Sequence, residues 1–403
     1  MRRTAEKGEV LSLGRVASSI PVQRRGGVET IRRAGSFGST GARPSGRVDS
    51  LTGLRWFAAL GVFLFHTAAL APLPLLGPLM RIGYEGVPFF FVLSGFVLTW
   101  SARPDDTTVH FYVRRFARVW PLLAVTTLPA LAIAHWWKGE AFSATGLLAT
   151  LTLTQAWSTD HFFTANIVTW TLSCEAFFYL VFPFVLRLLT RLRPAGLLTV
   201  ALVMQALTLL SRTWPGSEAF PFQLVRLTYA SPLALTPMFI TGMCVALAVR
   251  QGWRPWLGVR GSLLLLTAVV LLRWRSAYQP GLVPGFPPDA DYFDSAVLPV
   301  FALLIAAAAV RDCEGRPSLF RRPALVRLGE WSFAFYIVHV LVLDGMRHYG
   351  LLAGLETAHG KLAVLLLAAL LCTAAAAVLH HVVEKPADRG IRSAFKRRLD
   401  TRG

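Results

Sequence analysis

The chain is 403 residues long, 54% hydrophobic and only 16% charged, with a mean hydropathy of +0.51. That composition excludes a string of soluble domains and makes a bilayer the solvent. The formal charge of +19 does not indicate nucleic-acid binding, because the basic residues fall in short clusters between apolar runs, the pattern that orients membrane proteins.

Residues 1–47 carry ten Lys/Arg and three acids among Gly, Ser and Pro. They hold too little apolar surface to fold and read as a disordered basic tail, with attraction to anionic lipid headgroups as the functional alternative. Ten apolar spans follow at 51–71, 83–100, 119–137, 167–186, 196–210, 229–249, 261–272, 293–310, 328–346 and 362–383. The expectation is an all-α, polytopic membrane protein of about ten transmembrane helices around a central polar cavity, covering 48–392, with a second basic tail at 393–403. Residues 143–157, rich in Ser and Thr, read as a re-entrant or interfacial segment instead of a span. With the N-terminus inside, the inner segments hold 32 Lys/Arg and the outer ones 8, which places both termini in the cytoplasm and the protein in the plasma membrane. Tryptophans at span ends, Trp100, Trp136, Trp137, Trp170, Trp214, Trp256 and Trp274, fit interfacial belts. Cys174, Cys244, Cys313 and Cys372 have neither paired outer-loop positions nor CxxC spacing, so no disulfide framework and no metal site is suggested.

An ionisable side chain at membrane depth is costly, and each one inside a span is a candidate for function. SLTGLRWFAALGVFLFHTA places Arg55 and His66 eleven residues apart, returning to within about 20° of one helix face and about 16 Å apart along the axis. Glu175, in WTLSCEAFFYL, falls at a depth similar to that of His66. A carboxylate beside a histidine would fix its tautomer and raise its basicity, as a general base acting on a hydroxyl requires. The bland readings are a snorkelling Arg55, and a His66 or Glu175 that satisfies a neighbouring helix.

FYVRRFARVWP sets Arg114, Arg115 and Arg118 at the cytoplasmic face, and Arg115 and Arg118 share a helical face suited to phosphate oxygens. Taken alone this is an ordinary orientation cluster. In GYEGVPFFFVLSGFVLTWS the Ser94-Gly95 step beside Phe90 permits close helix packing or a channel for a thin acyl-pantetheine. His339, in WSFAFYIVHVLVL, either lines a cavity or makes an interhelical hydrogen bond.

These segments, in order along 49–392, resemble the acyltransferase-3 family of membrane acyltransferases. DSLTGLRWFAALGVFLFHTA is similar to its opening L-x-G-L-R with R-x10-H (Arg55, His66), and GYEGVPFFFVLSGF to its Gly-Val/Phe-Phe/Ser-Gly-Phe segment. FYVRRFARVWP resembles R-x-x-R (Arg115, Arg118), WTLSCEAFFYLVFP resembles W-S-L-S-x-E-x-x-F-Y-L, and SFAFYIVHVLVL and VVEKPADRGIR resemble the closing Tyr-x-x-His and Glu-x-Pro elements. Thr171, Cys174 and Ala176 depart from the family pattern, the last where a second Glu is frequent.

The resemblance implies acyl-CoA, in the first instance acetyl-CoA, as donor substrate. It places the donor's phosphates near Arg114, Arg115 and Arg118, its arm past Ser94 and Gly95, and makes His66 the catalytic histidine with Glu175 and Arg55. His339, Tyr336 and Phe90 become cavity residues. Membrane lipids surround the protein, and the acceptor is a hydroxyl of a sugar, polysaccharide or natural product. The form SLTGLRWFAALGVF is similar to actinobacterial members that acylate macrolides. Two mechanisms stay open, direct transfer with His66 as base and a two-step route through acyl-histidine. Rival readings are a transporter or lipid-linked glycan flippase using Arg, His and Glu as relay groups, and a sensor without turnover.

Overall fold

The computed structural model describes residues 48–71, 73, 76–103, 106–213, 230–279, 292–352 and 355–400; the 1–47 tail and Trp214 lie outside them. All regular structure among the described residues is helical, which is what backbone polar groups in hydrocarbon require. In chain order the helices are α1 (Asp49–Ala68), α2 (Gly77–Ile82), α3 (Gly86–Ser101), α4 (Thr108–Ala132), α5 (Ala144–Leu151), α6 (Trp170–Leu189) and α7 (Pro194–Thr213). There follow α8 (Pro232–Arg250), α9 (Val259–Tyr278), α10 (Tyr292–Cys313), α11 (Pro323–His348), α12 (Ala358–Leu379) and α13 (Lys385–Asp400). Two π-helical turns, Ile133–Trp137 and His380–Glu384, continue α4 and join α12 to α13.

Nine helical segments among the described residues are long and apolar enough to cross a bilayer, so the chain is a multi-pass membrane protein. The seventh span of the sequence reading, 261–272, is the exception. It lies within α9, a helix of 20 residues, but Arg260, Arg273 and Arg275 bracket its apolar stretch and dilute it. Residues 144–151 form a helix of 8 residues, too short to span. As far as Asp400 the basic segment beginning at 393 is helical, the second half of α13.

The leucines explain how the bundle meets its solvent. Leu202 and Leu210 on α7, and Leu362, Leu366 and Leu370 on α12, are exposed; in water such rows would be a liability, whereas against acyl chains they cost nothing. Burial concentrates instead on α3, α8 and α10.

Two local devices fix the helices that carry the site. Val48 offers α1 no capping side chain; the Asp312 carboxylate at the end of α10 takes its place, accepting from Ser50 N at 2.8 Å and Ser50 Oγ at 2.6 Å. This satisfies an orphan amide at the helix start and pins the rotation of α1. Where α3 crosses α8, a Cβ on Gly95 would overlap the carbonyl of Phe239, and one on Gly242 would overlap the carbonyl of Val92. Small residues at both positions let the two backbones touch.

Candidate active site

Five of these helices enclose a cavity of about 140 Å³. α1 contributes Arg55; α3 contributes Phe90 and Ser94; α4 contributes Arg115 and Arg118; α6 contributes Thr171, Glu175 and Tyr179; α11 contributes Ser332, Phe333 and Tyr336. Three guanidinium groups and a carboxylate thus share one chamber inside an apolar bundle, where unscreened charges act strongly on one another and on any ligand.

The charges are ordered by local spacing. Tyr179, one turn after Glu175, donates its hydroxyl to Glu175 Oε2 at 2.6 Å, and the carboxylate lies within electrostatic reach of Arg55, Arg115 and Arg118. The Arg115 guanidinium sits 6.0 Å from the Tyr179 ring centroid and 5.9 Å from that of Phe111, close enough for cation–π attraction. Its Nε is buried and has no hydrogen-bond partner. Arg118 lies 5.6 Å over the Phe333 ring and is ion-paired with Glu384.

On the far side of Tyr336 stands a pair of histidines. His339 Nε2 is 3.2 Å from His66 Nδ1, and His66 Nδ1 is also 3.0 Å from the Val62 carbonyl oxygen. His339 Nδ1 donates to the Tyr336 carbonyl at 2.7 Å. His339 is fully buried at 0% exposure, while His66 is half-buried. Tyr336 links the two regions: its ring lines the cavity and its hydroxyl lies 3.0 Å from Thr171 Oγ1.

The structure therefore brings together Arg55, Phe90, Ser94, Arg115, Arg118, Glu175 and Tyr336, and separately His66 with His339. Four expectations are corrected. Glu175 is not the partner of His66: its carboxylate is engaged by Tyr179, and His66 Nδ1 by Val62 and His339. His339 is not on the cavity wall but behind Tyr336. Arg114 turns away from the chamber and bonds Asp106, with Nη1 2.8 Å from Oδ1. Gly95 serves the α3–α8 crossing and does not line the cavity.

Sequence reasoning missed Tyr179 and Glu384 as site residues. Tyr179 could have been found from its i, i+4 relation to Glu175. Glu384 sits in the quoted Glu-x-Pro element, and only the π turn that precedes α13 reveals that it reaches Arg118.

A family model described as an acyltransferase domain matches residues 48–381. Among curated relatives, the acyltransferase MdmB of Streptomyces mycarofaciens is 37% identical over 381 residues, covering 85% of this chain and 92% of its own length. The exopolysaccharide production protein ExoZ of Rhizobium meliloti is 28% identical, covering 72% of this chain and 85% of its own. Nodulation protein 10 of Rhizobium leguminosarum bv. viciae is 27% identical, covering 76% and 86% respectively. No solved structure matches the chain.

Proposed function

The chain belongs to the acyltransferase family defined by that domain, and on this premise we propose that it transfers an acyl group from acyl-CoA to a hydroxyl of a sugar, polysaccharide or macrolide-type natural product. One observation carries the reading of the donor: a chamber inside the apolar bundle walled by Arg55, Arg115 and Arg118, with Glu175 as the one carboxylate among its lining residues. Guanidinium groups gathered away from bulk water leave an excess of positive charge, and an anionic ligand offsets it. Coenzyme A phosphates are such a ligand.

In this reading the acceptor hydroxyl meets His66. Its proton passes to the imidazole as its oxygen attacks the thioester carbonyl; collapse of the tetrahedral intermediate expels the thiolate, which recovers the proton from His66 and leaves as CoA thiol. Arg55 and Glu175 act on the donor. Arg55 is eleven residues from His66 on α1, about 16 Å of helical rise, too far to hold an oxyanion forming beside the ring. The arginine-bearing end faces the cytoplasm, both termini lie there in the plasma membrane, and α9 makes the tenth crossing with its arginines snorkelling at either end.

The acceptor class draws support from two directions. The similarity of α1 to macrolide-acylating actinobacterial members agrees with 37% identity to a Streptomyces acyltransferase; the name of the Rhizobium meliloti relative speaks for polysaccharide. The test is purified protein in nanodiscs with labelled acetyl-, propionyl- and butyryl-CoA and a panel of hydroxylated macrolides and oligosaccharides. The expected result is CoA thiol release that requires an acceptor and equals the ester formed. Absence of acceptor-dependent thioester loss with every donor would overturn the proposal.

A further inference from the structure

We propose that His339 is a positioning residue that fixes the tautomer of His66 through a hydrogen-bond relay, so that Nε2 of His66 is the basic nitrogen. The inference rests on the reading of His66 as the base and adds the device that makes it one.

The proton assignments follow from acceptors that cannot donate. The Tyr336 carbonyl oxygen, 2.7 Å from His339 Nδ1, only accepts, so Nδ1 of His339 carries hydrogen. In a neutral imidazole the other nitrogen then holds a lone pair. That lone pair, on His339 Nε2, faces His66 Nδ1 at 3.2 Å. The second neighbour of His66 Nδ1, the Val62 carbonyl at 3.0 Å, is also an acceptor only. Both neighbours favour a proton on His66 Nδ1, the Val62 carbonyl being the weaker because, four residues back on α1, it already accepts the helical bond of the His66 amide, and the imidazole so protonated leaves Nε2 unprotonated. The opposite tautomer would set the Nδ1 lone pair against two others.

The packing around His339 keeps the relay aligned. The ring is parallel to Phe335, at 12° with centroids 6.2 Å apart, and edge-on to Phe63 at 6.4 Å. His339 has no exposed surface, so water does not compete for Nε2. A neutral histidine suits this depth better than a carboxylate would. When His66 takes a proton and becomes cationic, His339 Nε2 and the Val62 carbonyl accept its Nδ1–H and spread the charge, and no buried anion has to be sustained in the resting state.

Two substitutions separate this role from packing. His339→Phe keeps a ring beside Phe335 and deletes the acceptor; His339→Gln puts an amide oxygen near the position of Nε2. The first readout is nitrogen-15 NMR of histidine-labelled protein in nanodiscs, with His66→Ala identifying the His66 signals. Wild type is expected to show one His66 tautomer with Nε2 unprotonated, His339→Phe a mixture, and His339→Gln a return to the single form. The second readout is acetyl-CoA turnover with whichever panel acceptor supports it. His339→Phe is expected to lower kcat on the order of 10²-fold with the donor KM unchanged, and His339→Gln to recover much of it. An unchanged His66 tautomer and kcat in His339→Phe overturn the inference, as does equal loss in both variants. These outcomes leave the role of His66 itself intact, because that role fails only if His66→Ala retains turnover.

Discussion

Arg118 on α4 and Glu384, 266 positions later at the end of a π-helical turn, form an ion pair in which the glutamate is 1% and the arginine 28% exposed. The pair ties the middle of α4 to the π turn between α12 and α13, and a buried carboxylate deprived of its cation is expensive. Removing either partner alone is expected to destabilise the protein by about 1–3 kcal/mol, the partial exposure of Arg118 keeping the cost at the lower end of buried-pair values. A double-mutant cycle of Arg118→Ala and Glu384→Ala, followed by thermal unfolding in detergent, checks this: the double variant should lose less than the two single losses combined. Strict additivity would show that the pair contributes nothing.

Arg114 and Arg115 are neighbours with opposite duties. Arg114 is spent on Asp106, whereas Arg115 lines the chamber. Arg115→Ala is expected to raise the KM for acetyl-CoA about tenfold or more, as the loss of a charge-assisted contact does, and Arg114→Ala to leave it within about twofold. Initial rates against donor concentration decide the matter, and a larger effect at Arg114 would reassign the donor contact.

The Arg114 guanidinium holds the Asp106 carboxyl below its ordinary value of 3.8 through their hydrogen bond. A depressed value in the folded state means that the stabilisation is fully present above the unfolded value and is lost as the pH falls through the folded one. The difference in melting temperature between wild type and Asp106→Asn should therefore be constant from neutral pH down to about pH 4 and shrink below it. A difference that grows with acidification contradicts the assignment.

Gly95 and Gly242 have no room for a side chain at the α3–α8 contact. Gly95→Ala and Gly242→Ala are each expected to cost about 2 kcal/mol or more, because the obstructing atoms are backbone carbonyls that cannot turn aside. Melting temperature and detergent-stable yield measure the loss, and unchanged values in both would mean that the helices sit further apart than described.

Much of this was legible in the chain. The period that places Arg55 and His66 on one stripe of α1, and Arg115 and Arg118 on one face of α4, follows from helical geometry alone. That Glu175 and His66 are not partners was not legible, since matched depth fixes one coordinate and says nothing of rotation about each helix axis or of which helices are neighbours. The same limit hid the contact of His339 with His66, which depends on α1 packing against α11. Glu384 escaped because a π turn changes the angular register just before it, and no sequence period announces that shift. Gly95 reads as a channel residue in the sequence because nothing local announces the carbonyl of Phe239 that faces it across the α3–α8 contact.

The central claim, that the half-buried imidazole of α1 accepts the proton of the acceptor hydroxyl, is tested most directly by single-turnover acyl transfer from labelled acetyl-CoA in His66→Ala. Far-ultraviolet circular dichroism and size-exclusion chromatography would establish that the variant is folded. Transfer should fall on the order of 10²-fold or more while the donor is still retained by the arginine chamber. Transfer at the wild-type rate would contradict the account.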